Sequence, residues 1–498
     1  MAAIILEKFR THNAKEFIAD FGDSSNYIFI GRSHAWSDAS DSSIDDNNPP
    51  SPANSESEEV RAFEDMIALK QVGTGDVSHG LVRHNWTVGT VYDEYRDDYS
   101  ASNQTPSGAN NFFDGRGYVV TSDYKVYKCL KTPFSSGVAQ GVTVNNEPNT
   151  TSTTDPQVTG DGYMWKFMYQ IPASEVIKYV TNDFIPVKTL GAKTTVAGSG
   201  TGGGFGTSAT DDGSAQWDVE DDAVDGAIYR YIVKTAGTGY RNNSNATDFS
   251  VDVAVEGDGS GAVATLSFVG GALNNVVFKD SSSYGAGYKR ASFPTIGSAI
   301  SGISSGSGAT IKAIISPIYG HGANPIEELG GNFVILNSRL EFGDGSGDFP
   351  TDNDFRQIGL IKNPVKSSDG SISNLGTMTA TQKLTLDDAS TVSVDDIIVS
   401  DLNNNASTKR ARVISKTSNV IRVIPIANGG GEFVNFVAED DIYLNDAGSK
   451  VTDVSLNGVD ADHPEVSRFT GDILYVENRG PVSRAADQIE DIKLIIEM

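Results

Sequence analysis

Residues Gly471–Met498 read GDILYVENRGPVSRAADQIEDIKLIIEM. Ile473–Val476 has the composition of a strand. So does the closing run IKLIIEM, which continues to the last residue. Between them lie Glu477-Asn478-Arg479, then Gly480-Pro481 and a polar connector. The end of a chain is usually frayed and tolerant of change. This one is patterned like core, with a polar knot at its centre.

Working outward, the same pattern recurs along most of the 498 residues. Strand formers alternate with Gly, Ser, Asn and Asp clusters, and there are 52 glycines against 17 prolines. Such a chain is expected to be mainly β with many tight turns. Its length allows about two to four domains. Asp and Glu number 65 against 38 Lys and Arg, a formal net charge of -27. That surface repels nucleic-acid phosphates and anionic lipid, so neither is an expected partner. Cys129 is the single cysteine, so no intramolecular disulfide can form, which fits synthesis in a reducing cytoplasm. The start, MAAIILEKFRTHNAKEF, has too short an apolar run for a signal peptide. No apolar stretch approaches the roughly 20 residues that span a bilayer.

The first 190 residues mix helices and strands. Asn13 and Glu16 suggest a capping box, with Gly22 as a stop. Ser55 and Glu58 suggest a second, opening an amphipathic helix through Val60, Phe63 and Ile67. ASEVIKYV predicts one short helix; NYIFIG, GYVVTSDYKVYKCL and DGYMWKFMYQIP predict strands. The acidic, Pro-bearing segment 38–57 predicts an exposed loop. Residues 191–215 are nearly all Gly, Thr, Ser and Ala, a composition expected of a linker. A repeat follows. GTGY at Gly237 returns as GAGY at Gly285, and GSGA at Gly259 returns at Gly306. The two offsets agree to within one residue, which marks a duplicated unit. Residues 366–460 alternate as a further β module.

No catalytic set stands out. His12, His34, His79, His84, His321 and His463 lack metal-ligand spacing, and there is no CxxC, P-loop or nucleophile elbow in a strand–helix setting. Asp344, Asp348, Asp352 and Asp354 could offer oxygens to calcium, but their spacing departs from the EF-hand, and a solvated acidic turn is the favoured alternative. Arg32 and Arg356 each sit beside an apolar strand, as buried partners of carboxylates or as interface anchors. The aromatic clusters HAW, HNW, YDEY and DGYMWKFMY suit a core or a protein interface better than a sugar cleft.

Several segments taken in order resemble the baseplate wedge subunit, the gene 8 product family, of T-even-type contractile-tailed bacteriophages. They are KFRT, IGRSHAWSD, RHNWTVGTVY, VYKCL, TGDGYMWKFMYQIP with TNDFIPV, FRQIGLIKNPV and ILYVENRGPVSRAADQIEDIKLIIEM. The resemblance covers roughly half the chain. It implies a non-enzymatic structural virion protein without metal or cofactor, forming a homodimer and contacting other wedge proteins. It would be made in the host bacterial cytoplasm and reside in a tail baseplate that rearranges on contraction.

The expected fold is mainly β with a few helices (α+β), multi-domain and β-sandwich-like, with two inserted β modules. The family core would comprise residues 1–190, including a β domain from about 80–190, with 327–365 and 461–498. The insertions would be the duplicated unit at 195–325 and the β module at 366–460. A last strand pairing in a domain begun by the N-terminal segment would explain the core-like terminus, with Glu477-Asn478-Arg479 at a strand-to-loop bend or against a partner. The residues carrying the resemblance, as structural or interface positions, are Arg32, Trp36, Trp86, Asp161, Gly162, Tyr163, Trp165, Arg356, Gln357, Asn363, Pro364, Glu477, Asn478, Arg479, Asp487 and Gln488. A tail adhesin or glycan-binding protein is the alternative. A polysaccharide hydrolase would need paired carboxylates across a cleft, and nothing marks such a pair.

Overall fold

In the computed structural model, residues 4–37, 41–133, 146–190, 215–341, 353–444, 449–459, 464–485 and 488–498 are described. The linker expected at 191–215 lies outside them except for Ala215, as do Asp344, Asp348, Asp352, His463 and Asp487. The protein is mainly β, in several sheets, with short helices at Glu7–Asp23 (α1), Glu56–Asp65 (α2), Ala173–Tyr179 (α3), Gln216–Asp221 (α4) and Pro325–Leu329 (α5). It divides into two compact units. One holds residues 1–15, 78–335 and 495–498, the other 16–77 and 336–494.

The second unit is built on a five-stranded sheet in the order Thr377–Thr379, Met66–Val72, Asn26–Gly31, Asn353–Lys362, Asp472–Arg484. Sheet neighbours are therefore recruited from far apart in sequence. Asn26–Gly31 is central and buried at all six positions. A strand covered on both faces needs no polar alternation, which is why NYIFIG reads as a nearly continuous apolar run. Phe29 lies where only a glycine can face it. A Cβ on Gly359 would stand 2.2 Å from the Phe29 ring.

The polar triplet Glu477-Asn478-Arg479 lies within a strand, where its pairing becomes irregular. The edge strand spans Asp472–Arg484, with Gln357 opposite Asn478 and Ile358 opposite Glu477; Phe355 then faces Val482, so the edge strand bulges over residues 479–481. Pro481 is tolerated because an edge strand has a side that needs no ladder donor. Residues 382–459 close into a separate barrel, ordered Gln382–Leu386, Val420–Pro425, Arg410–Thr417, Ile397–Val399, Asp441–Leu444, Thr452–Val459. Its core is aliphatic apart from Phe436 and includes Leu384, Ile398, Val413, Ile421 and Val423, each fully enclosed.

In the first unit, Tyr118–Val120, Lys125–Lys131, Met164–Gln170 and Gln157–Val158 form one sheet. The duplicated segment has one shared apolar core that includes Tyr231, Tyr240, Leu266 and Tyr288. Its copies pair in a nested way. GTGY at Gly237 lies on GSGA at Gly306, whereas GAGY at Gly285 lies on the GSGA at Gly259. Gly237 (φ +61°) and Gly285 (φ +69°) are left-handed, and a Cβ on either would press on the opposite backbone at 2.5–2.8 Å. The repeat thus preserves a steric requirement. Each glycine lets two backbones close over a buried tyrosine, Tyr240 or Tyr288.

Helix boundaries depart from the local signals at two places. α1 begins at Glu7, so Asn13 is interior and no cap. Burying Thr11 and Ala14 outweighs the weak preference of Asn for a cap. α2 does start at the Ser55 cap, which accepts from the Glu58 amide, but it ends at Asp65. Ile67 belongs to the following strand and Val60 is 43% exposed. The buried side of α2 is instead Glu58 and Ala62.

Replacing Gly237 by alanine should destabilise the 228–315 module by more than the ~1 kcal/mol of an ordinary left-handed glycine. Gly270→Ala, at φ +60° with open space around it, is the control. Thermal melts with proteolysis of the module check this; equal effects at the two sites would refute the close-approach account.

Candidate functional site

The residues singled out in the sequence fall into two groups, one in each unit. In the second unit, strand Asn26–Gly31 ends and Arg32 turns the chain sharply, at φ +56°. A non-glycine residue there is uncommon and must be held by its surroundings. The Arg32 amide donates to the Asp65 carbonyl at 2.8 Å, and its Nη1 to Asp65 Oδ2 at 3.0 Å. Its guanidinium lies 3.8 Å from the centre of the Trp36 ring. Trp36 is buried; its indole donates to the Arg479 carbonyl at 2.8 Å.

Arg356 anchors the loop that follows. Its Nε and Nη2 donate to the two oxygens of Asp46, each at 2.9 Å, and Nη1 donates to the Ser33 carbonyl. Asp46 Oδ1 also accepts from the Trp36 amide at 2.9 Å. The planar fork of arginine matches a carboxylate in both distance and direction. Hydrogen bonding from Arg356 holds the Asp46 carboxyl below its ordinary range. The Arg32–Asp65 pair behaves oppositely. Burial pushes the Asp65 carboxyl up and the Arg32 guanidinium down, so desolvation exceeds the gain from pairing on both sides.

The polar triplet completes this assembly. Gln357 Nε2 donates to Asn478 Oδ1 at 2.8 Å, and Asn478 Nδ2 to the Pro50 carbonyl at 3.1 Å. Glu477 accepts from the Tyr475 hydroxyl at 3.1 Å, while the Arg479 side chain is exposed. Asn363, at φ +52°, exchanges two hydrogen bonds with Ser25, and the following Pro364 is buried. Gln488 is exposed and pairs with the Ala485 backbone. Asp354, the described member of the candidate calcium cluster, is engaged by Ser483 at 2.6 Å and Arg356 at 3.3 Å.

A partly open pocket of about 130 Å³ adjoins the assembly, between Ser33, His34 and Glu64 on one side and barrel residues Arg412, Ile424 and Phe433 on the other. Burial and the charges of Arg32, Arg412 and Arg356 push His34 down to about 3, so it is neutral near pH 7. None of the barrel residues lining this pocket was singled out in the sequence. Asp46 and Asp65 were missed as well: nothing local distinguishes either one from the many neighbouring acids.

In the first unit, Thr159, Asp161, Gly162 and Tyr163 form a tight turn in which Asp161 Oδ1 accepts from Thr159 and from the Tyr163 amide. Gly162 is left-handed, at φ +89°. Tyr163 and Trp165 are fully buried with stacked rings, and Trp86 packs beside them. The aromatic cluster DGYMWKFMY is thus core.

The same unit holds an ionic group the sequence did not reveal. Glu328, on α5, accepts from Lys128 Nζ at 2.7 Å, from His321 Nδ1 at 2.5 Å and from the Gly322 amide at 2.7 Å. All three side chains are at most 4% exposed. Tyr95 and Phe112 face the lysine within 4.8 Å. Lys128 and His321 hold Glu328 down to about 2 against the opposing effect of burial, while burial pushes His321 down to about 4. Perturbed groups of this kind mark active sites when substrate can reach them. Here the set is sealed, and it fastens α5 to strand Lys125–Lys131.

Glu328→Gln should cost about 3–5 kcal/mol by leaving Lys128 buried without a counter-charge, whereas Lys128→Met with Glu328→Leu should lie nearer the parent in urea unfolding. Acid sensitivity follows from the same groups. Glu328 contributes stability above its unfolded value of 4.5 that is lost as pH falls toward 2, and neutral His321 contributes stability that declines as pH falls from 6.5 toward 4. Urea midpoints should therefore drop from pH 6.5 downward, and less steeply in the double substitution.

No family model matches this chain. It is 26% identical over 212 residues to the baseplate wedge protein gp8 of Enterobacteria phage T4, an alignment covering 37% of this chain. The chain spans 60% of the length of that relative.

Proposed function

We propose that the chain is a structural subunit of a phage tail baseplate wedge, acting through protein–protein contacts and carrying no enzymatic activity. The observation that carries this is the similarity to a baseplate wedge protein over 212 residues. The arrangement of side chains supports it. Arg32, Trp36, Arg356, Gln357 and Asn478 make hydrogen bonds to groups of the same unit that tie the loop, the sheet and the edge strand together. Such a network stiffens a body that must transmit force. The strongly perturbed Lys128–Glu328–His321 set has no access for a substrate.

In this reading the protein is a homodimer in the virion, joins other wedge proteins, and takes part in the baseplate rearrangement of tail contraction. The signature residues serve as scaffold, and exposed Arg479 and Gln488 are its candidate contacts with partners. Residues 195–325 and 366–460 are modules added to a shared core of 1–190, 327–365 and 461–498. The net charge of -27 keeps the free subunit soluble until assembly.

Co-expression with the neighbouring wedge proteins of the same phage should give a stoichiometric complex, and light scattering should give twice 52.9 kDa for the free chain. A chain that co-purifies with none of them and is absent from purified baseplates would overturn the proposal. Arg356→Met should release the 33–50 segment to proteases and weaken that complex, while leaving the barrel protected in hydrogen exchange.

A further inference from the structure

The pocket beside the arginine–carboxylate assembly presents two side chains whose hydrogen-bonding capacity is not filled among the described residues, Ser33 and Arg412. Ser33 is 6% exposed, yet its hydroxyl has no hydrogen-bond partner among the described residues. Leaving a buried polar group unpaired costs about 1–3 kcal/mol. Arg412 donates to the Asp395 carbonyl at 3.3 Å and forms no ion pair within 4 Å among the described residues, although its charge also acts on the Asp65 and Asp395 carboxyls. Its neighbours on the barrel, Ile424 and Phe433, supply an apolar wall. The lining carries both signs, Arg412 against Glu64 and Asp65, and Arg32 and Arg356 nearby are already paired with Asp65 and Asp46. Of the acids nearby, Asp65 is already paired with Arg32, and the charge of Glu64 acts on Arg468.

Size narrows the choice. At about 130 Å³ the pocket is well below the ~300–1,000 Å³ of ordinary small-molecule sites. It has room for about four waters at ~30 Å³ each, or one side chain. We infer that it receives the side chain of a glutamate presented by a neighbouring protein. The carboxylate meets Arg412 and the Ser33 hydroxyl, and the methylenes lie on Ile424 and Phe433. The protein-borne source rests on the assembly reading above; the carboxylate chemistry does not. A desolvated acceptor of this kind would be an anchor point of an interface.

The test uses the full chain with 13C-methyl isoleucine, following the Ile424 and Ile426 signals while N-acetyl-glutamate N-methylamide is added at constant ionic strength. Saturable shifts are expected, with the glutamine counterpart at least about tenfold weaker. Arg412→Met should abolish saturation. Ser33→Ala should weaken binding several-fold without lowering the melting temperature, because its hydroxyl has no partner to lose; it decides the matter if Arg412→Met does not fold. Shifts that never saturate, an equal response to the glutamine compound, or binding unchanged by Ser33→Ala overturn the inference. Butyrate binding more tightly than the blocked glutamate overturns the protein-borne source. Because the titration needs only the isolated chain, it can fail while co-purification with wedge proteins succeeds, and the reverse.

Discussion

The bidentate bond between Arg356 and Asp46 is the contact on which the second unit depends. It joins the fourth strand of a five-stranded sheet to a loop 310 residues earlier in the chain. The loop is polar and acidic and has almost no apolar side chains to bury. Only directed hydrogen bonds can hold such a segment down, and a guanidinium that supplies two parallel donors to a carboxylate, and a third to a carbonyl, is well suited to it. Once Asp46 is fixed, it positions the Trp36 amide. Trp36 then caps the Arg479 carbonyl on the edge strand.

Burial of charge is used in two different ways. At Arg32–Asp65, desolvation outweighs pairing, and the pair sits beside a backbone turn that few residues adopt unaided. Its contribution is to geometry rather than to net stability. In the first unit, Glu328 collects three donors, which is enough to keep it ionised although it is sealed from water. Both arrangements cost stability if one partner is removed, and both specify a single packing of the chain.

The duplicated segment shows the opposite economy. It has almost no charged core and relies on glycine. Where Gly237 faces Ser307 and Ala309, and Gly285 faces Ser260 and Ala262, the absence of a side chain brings two backbones together over a tyrosine. The nested pairing of its copies sets the inner glycine pair, Gly259 with Gly285, between the outer pair, Gly237 with Gly306, along the chain. A tandem repeat is therefore not a tandem structure here.

What the sequence determined by itself is whatever depends on near neighbours. The mainly β fold follows from strand formers punctuated by turn residues. The Ser55 cap, the ASEVIKYV helix and the NYIFIG strand are likewise local. So is the duplication, because glycine is irreplaceable at a left-handed close approach. The aromatic run around Trp165 could be recognised as core from its apolar weight. What only the tertiary structure decided is which distant groups meet. Asp46 is one acid among many in its loop, and Lys128, His321 and Glu328 carry no shared spacing. Glu477-Asn478-Arg479 can lie within a strand, beside a bulge, because Gln357, Pro50 and Trp36 arrive from elsewhere to bond Asn478 and the Arg479 carbonyl. α1 starts six residues before its apparent cap because burial of Thr11 and Ala14 exceeds a cap preference worth about 1 kcal/mol. Hydrogen bonds and ion pairs act over a few ångströms in space, and separation along the chain does not reveal that distance.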